Sequence, residues 1–261
     1  MNIDLTNKNA LVCGGSRGIG KAAAQALAEC GANVTIMARG AEQLAKSLND
    51  LDKSKGQKHQ FQVADFGDLS VVRKKIVGLL SAQKFHILIN NTGGPKGGAI
   101  TEANPEEFAD AFSKHIIASQ ILTTLLLPGM KADDYGRIIN VISTSVKEPI
   151  AGLGVSNTIR GAMGNWAKTL ATEVGADGIT VNNVLPGFTD TDRLRSLIDA
   201  KAKARDVAPA VIEKEMKSAV PMGRFADPAE LGAVIAFLAS PAASYVNGIN
   251  VPVDGGRTKS L

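Results

Sequence analysis

Ala10-Leu11-Val12-Cys13-Gly14-Gly15-Ser16-Arg17-Gly18-Ile19-Gly20 is the stretch on which the fold turns. Its first four residues make a short apolar run with the character of a buried strand. Glycines 14, 15, 18 and 20 follow, and from residue 19 to 30 the composition is helical. A strand that runs through glycines straight into a helix leaves its backbone bare at the turn. A phosphate group can approach that backbone and meet the free N–H groups and positive dipole of the helix N-terminus. Without a ligand the same residues would be only a tight turn, so the rest of the chain has to separate the two readings.

Short apolar runs recur at 34–38, 60–63, 87–90, 137–142 and 180–185, and helical patterns at 41–53, 68–82, 105–130, 155–175 and 191–219 fill the spaces between them. Strict alternation of strand and helix predicts a parallel sheet covered on both faces. Right-handed crossovers then give an α/β doubly wound sheet of Rossmann type, with its ligand crevice beyond the carboxyl ends of the strands. No repeat, low-complexity tract or linker divides the chain, and 261 residues suit a single domain over 1–261. Residues 190–220, DTDRLRSLIDAKAKARDVAPAVIEKEMKSAV, depart from the tight alternation. They read as two helices broken at Pro209, either a solvated surface pair or a substrate lid over the crevice.

Composition excludes several classes. With 29 Lys+Arg against 25 Asp+Glu the net charge is only +4, and no basic block forms a nucleic-acid stripe. One Trp and two Tyr leave few stacking platforms, so no nucleic-acid partner is expected. Two cysteines, Cys13 and Cys30, cannot build a disulfide framework. The start is polar and the longest apolar stretch, 116–128, is too short to span a bilayer. A cytoplasmic protein without a membrane partner or metal site is therefore expected.

Five motifs in order carry a resemblance. Val12-Cys13-Gly14-Gly15-Ser16-Arg17-Gly18-Ile19-Gly20 has GxxxGxG spacing, Asp65 follows the third strand, and Asn90-Asn91-Thr92-Gly93 follows the fourth. Pro186-Gly187 with Thr191 comes after the sixth, and Val253-Asp254-Gly255-Gly256 closes the chain. The sequence resembles the short-chain dehydrogenase/reductase family, and within it the 3-oxoacyl-acyl-carrier-protein reductase-like branch. That resemblance implies strand order 3-2-1-4-5-6-7, a homodimer or homotetramer, and a dinucleotide cofactor. It implies cofactor contacts at Gly14, Ser16, Arg17, Gly18, Ile19, Gly20, Asp65, Asn91, Gly93, Arg160, Pro186, Gly187, Thr189 and Thr191. Charge selects the dinucleotide. NAD sites carry an acid at the end of the second strand for the ribose 2′-OH. Here Ala38 is followed by Arg39, and Arg39 with Arg17 and Ser16 suits a 2′-phosphate, so NADP(H) is expected over NAD(H).

The resemblance also implies a catalytic serine, tyrosine, lysine and asparagine. Counting from Gly136-Arg137-Ile138-Ile139, Ser143 stands at the serine position. The tyrosine position is Ser156, the lysine position Arg160 and the asparagine position His115, so only the serine is kept. Ser156 and Arg160 are i and i+4 on one helix face. A serine is far less acidic than tyrosine, and loss of a positioned general acid typically costs roughly 10²–10⁴ in rate. Arg160 keeps the charge and can hold a ribose or an oxyanion. His115 reads either as a structural residue or as a group titrating near neutrality that relays a proton. Two functions follow. One is an NADP(H)-dependent oxidoreductase interconverting a small-molecule carbonyl and its alcohol. The other is a catalytically lapsed NADP(H)-binding sensor or scaffold.

Overall fold

The structure is a computed structural model that describes residues 1–260. Seven parallel strands form one sheet in the order β3-β2-β1-β4-β5-β6-β7. They are β1 Asn9–Cys13, β2 Asn33–Ala38, β3 Gln60–Val63, β4 Ile87–Asn90, β5 Gly136–Val141, β6 Ile179–Pro186 and β7 Asn250–Val253. Among the described residues nine α-helices connect and cover them: α1 Gly18–Glu29, α2 Ala41–Asn49, α3 Leu69–Leu80, α4 Pro105–Phe112, α5 Ala118–Ala132, α6 Gly154–Val174, α7 Asp192–Arg205, α8 Pro209–Ser218 and α9 Pro228–Ala239. The doubly wound α/β fold and its strand order are as expected from the sequence.

Strand alternation sorts the core into two layers. Ala10 and Val12 of β1 pack with Ala23, Leu27, Leu231 and Ile235 on the α1–α9 side. Leu11 and Cys13 face the other way, against Val72, Leu122 and Leu126 of α3 and α5. A polar line crosses this apolar sheet. Asn90 Nδ2 donates to Asn140 Oδ1 at 2.9 Å, Asn140 Nδ2 to Asn183 Oδ1 at 2.8 Å, and Asn183 Nδ2 to Asn250 Oδ1 at 2.8 Å. The ladder joins four adjacent strands, and the register pairs the same residues directly.

Two elements differ from expectation. The long helix at 105–130 is interrupted: Ser113–Ile117 forms a π-helical turn between α4 and α5. Helix α9 was not anticipated, because PAELGAVIAFLA is apolar on nearly every side and shows no amphipathic stripe. Its start is nonetheless written locally. Asp227 accepts from the Ala229 N–H at 2.8 Å, Glu230 Oε2 accepts from the Asp227 N–H at 2.8 Å, and Pro228 opens the helix. Helices α7 and α8 fill 190–220 as expected and share a small core of Leu194, Ile198, Ala202, Ile212 and Met216. Among the described residues no helix is long and apolar enough to cross a membrane, and no acidic, His or Cys group could hold a metal.

Candidate active site

The glycine turn is held at the carboxyl end of β1 by contacts that need bare backbone. Gly14 sits at φ +62, and a Cβ there would fall on the Asn91 carbonyl oxygen. A Cβ on Gly20 would strike the Gly14 carbonyl and stand 2.5 Å from Asn91 Nδ2. Asn91 Nδ2 in turn donates to the carbonyls of Cys13 at 3.3 Å and Gly14 at 3.4 Å, tying the turn to the end of β4. Beneath it, buried Ser47 donates to the Ser16 carbonyl at 2.8 Å. Cys13 is fully buried and its thiol pKa is pushed up by that burial, so it packs as a small apolar residue. Ile19 packs partly buried against the α1–α9 layer.

A cleft of about 800 Å³ opens over this turn. One end holds Ser16, Arg17 and Arg39; Asp65 and Asn91 line its middle; Gly93, His115 and Arg193 line the other end. The arginines at 17 and 39 are exposed, and the ion pairs of the structure are made by other residues. No acid follows β2. A bare cradle at a helix N-terminus, with two uncommitted guanidiniums and no competing carboxylate at the end of β2, fits a dinucleotide carrying a 2′-phosphate.

The remaining expected contacts lie beside the cleft. Thr191 caps α7 by accepting from the Leu194 N–H at 3.4 Å, and its methyl group lies 3.1 Å from where a Gly18 Cβ would be. Pro186 ends β6, the Gly187 N–H donates to the Val253 carbonyl at 3.0 Å, and Thr189 Oγ1 donates to the Gly187 carbonyl at 3.3 Å. None of these four lines the cleft itself.

Of the four residues at the expected catalytic positions, only His115 lines the cleft. Ser143 follows β5 and its Oγ accepts from the Ser145 N–H at 3.1 Å. Ser156 is buried in the first turn of α6. One turn further on, buried Arg160 donates through Nη1 to the Val141 carbonyl at 3.3 Å, linking α6 to the strand that delivers Ser143. Burial and the charge of Arg193 lower the Arg160 pKa to about 10. His115 lies in the π-helical turn with Nδ1 2.7 Å from the Thr92 hydroxyl, a partner that the sequence did not single out.

Of the two readings open for His115, titration near neutrality does not hold. Burial first, then the charges of Arg160 and Arg193, lower its pKa from 6.5 to about 3. The imidazole is therefore neutral at physiological pH and carries no spare proton. The unfolded chain binds the proton first as pH falls, so His115 contributes fully above pH 6.5 and its contribution is lost towards pH 3. The expected slope is up to about 1.4 kcal/mol of lost stability per pH unit. Substituting His115→Asn should flatten the acid limb of a melting-temperature profile; an unchanged limb would refute the assignment.

Neither tyrosine lines the cleft. Tyr135 donates to the Ala239 carbonyl at 2.6 Å at the start of β5, and Tyr245 is fully exposed. His59 and His86 each hold a strand's backbone. His59 Nδ1 accepts from the Val34 N–H at 3.1 Å, and His86 Nδ1 accepts from the Asn9 N–H at 3.0 Å.

Fold and site together define a doubly wound α/β protein with a nucleotide-type glycine turn. A family model described as Enoyl-(Acyl carrier protein) reductase matches residues 14–258. The chain belongs to the short-chain dehydrogenase/reductase family. It is 34% identical over 256 residues to 3-oxoacyl-(acyl-carrier-protein) reductase FabG of Vibrio cholerae, covering 97% of this chain and 98% of that one. NADPH-dependent reductase BacG of Bacillus subtilis is 30% identical over 261 residues, covering 98% and 100%. L-sorbose reductase of Gluconobacter frateurii, solved with NADPH and L-sorbose, superposes with a TM-score of 0.94 at 30% identity over the whole of both chains.

Proposed function

We propose that this chain is an NADP(H)-dependent oxidoreductase that interconverts a carbonyl and an alcohol. The observation that carries the reading is the single cleft joining the glycine turn, Arg17 and Arg39 to His115 and Arg193, with Arg160 reaching Gly94 in its lining. Arg17 and Arg39 hold the 2′-phosphate, and the backbone of the glycine turn with Thr191 holds the diphosphate. When bound, NADP(H) supplies or accepts the hydride.

The chain's own groups manage charge and proton. The Ser143 oxygen already accepts from the Ser145 N–H, which leaves its hydroxyl proton for the substrate oxygen. The buried charge of Arg160 favours the alkoxide that develops there. Ser156, one turn before Arg160, passes a proton from water in place of an acidic phenol. His115, held neutral, fixes Thr92 and the backbone at Gly93 instead of giving up a proton. Helices α7 and α8 serve as the lid. The apolar side chains of Phe112 and Ile117, about two-fifths exposed at 42% and 39%, supply the surface of a homo-oligomer. Two free cysteines suit a reducing cytoplasm.

Titration with NADPH and NADH, followed by nicotinamide fluorescence and Trp166 quenching, tests the cofactor site. An Arg39→Ala variant should bind NADPH about 10–100-fold more weakly, the size of a lost charged hydrogen bond, with NADH unchanged. Equal binding of both dinucleotides by the wild type would refute the 2′-phosphate site. If reduction of ketones appears only after Ser156→Tyr with Arg160→Lys, the lapsed binding protein is the correct reading.

A further inference from the structure

Two guanidinium groups that meet at Gly94, in the lining of the cleft, have no salt-bridge partner among the described residues. Arg160 is only 8% exposed, and its one hydrogen bond goes to a neutral carbonyl. Arg193, in the first turn of α7, reaches across to the Gly94 carbonyl at 3.4 Å. The two converge on Gly94: a Cβ there would stand 3.2 Å from Arg160 Nη2 and 3.0 Å from Arg193 Nη2. Nearby carboxylates are already committed, Asp190 to Arg195 at 3.2 Å and Asp110 to Lys114 at 2.7 Å.

Each placement is unfavourable by itself. A buried cation without a partner loses hydration that nothing restores. Two like charges across one glycine repel. A cation in the first turn of a helix opposes the helix dipole. A single anion between the two forks offsets all three, and a planar carboxylate matches paired guanidiniums. Gly93 and Gly94 present no side chain there, so space is left on the cleft side.

We propose that Arg160 and Arg193 clamp a carboxylate carried by the substrate beside its reacting carbonyl, which makes the substrate a small oxo acid. The inference rests on the oxidoreductase reading above and adds the substrate class to it. Position favours the substrate over the cofactor's diphosphate as the source of the anion. Arg160 is bound to Val141, two residues before Ser143, whereas Thr191 packs against Gly18 of the glycine turn. Closure of the lid follows from the same contact, because Arg193 rides on α7.

The test is calorimetric titration of the full chain, loaded with NADP⁺, with malonate and with the neutral malonamide. Malonate should bind and malonamide should not. Arg193→Ala, an exposed change that leaves the core untouched, should weaken malonate by at least about tenfold while NADPH affinity stays within about threefold. Arg160→Lys, which keeps the charge and loses the fork, should weaken malonate in the same direction. Equal binding of malonate and malonamide overturns the clamp. So does an Arg193→Ala variant that loses NADPH and keeps malonate, since the pair would then serve the diphosphate. If NADPH binds and neutral ketones are reduced while malonate has no effect, the clamp fails and the reductase stands. If NADPH does not bind at all, both fall.

Discussion

Replacing Asn140 by leucine is expected to lower the stability of the fold by about 2–6 kcal/mol, the sum of two orphaned buried polar groups at roughly 1–3 kcal/mol each. The side chain is 1% exposed and stands in the middle of the amide ladder. Without it, Asn90 Nδ2 loses its acceptor and Asn183 Oδ1 loses its donor, and both residues are buried. Leucine has nearly the same shape, so the loss reads as polar, not steric. In a chain of this size each kcal/mol moves the melting temperature by roughly 2–4 °C, so a fall well above 4 °C is expected in differential scanning calorimetry. Adding Asn183→Leu to Asn140→Leu should cost less than the sum of the two single changes, because the first already breaks their shared bond. Strict additivity, or a loss below about 1 kcal/mol, would show that the ladder does not hold the sheet. The ladder matters for the site because Asn91, Ser143 and Pro186 each follow one of its rungs by one to three residues. Register at the rungs sets where those three residues emerge.

This ladder also marks where the sequence stops being legible. The fold could be read from the apolar run at 10–13, its glycines and the alternation that follows, because strand and helix periods are local. The NADP(H) preference was legible too, since it turns on the residue after Ala38 being Arg39. Helix α9 was missed for want of an amphipathic stripe, although Asp227, Pro228 and Glu230 wrote its first turn. The asparagines at 90, 140, 183 and 250 stand out in apolar strands, but only the register across four strands brings them together. His115 stood at the asparagine position, but which of its two readings holds was not legible. Its pKa depends on burial and on Arg160 and Arg193, which arrive from α6 and α7. The π-helical turn around it, and the meeting of Arg160 and Arg193 at Gly94, are likewise tertiary facts without a local signal.

Substituting Ser143→Ala is expected to lower kcat/KM for ketone reduction by about 10²–10³, the loss typical of one donor aimed at a developing oxyanion. The dissociation constant for NADPH should change by less than about threefold, well under 1 kcal/mol. The separation follows from position: Ser143 stands after β5, whereas the residues proposed to hold the phosphates lie on the glycine turn and the end of β2. Its oxygen also caps the short turn Thr144–Val146, so a part of any loss belongs to local order, about 0.5–2 kcal/mol by analogy with helix caps. Ser143→Thr keeps the hydroxyl and distinguishes the two effects, since it should recover most of the rate if donation to substrate is the cause. Ser156→Ala should cost much less than Ser143→Ala, because a proton passed from water can be supplied by another water. A larger loss at Ser156 than at Ser143 would reverse the roles. It would make Ser156, with the charge of Arg160 one turn away, the group that holds the oxygen, and leave Ser143 with only its bond to Ser145.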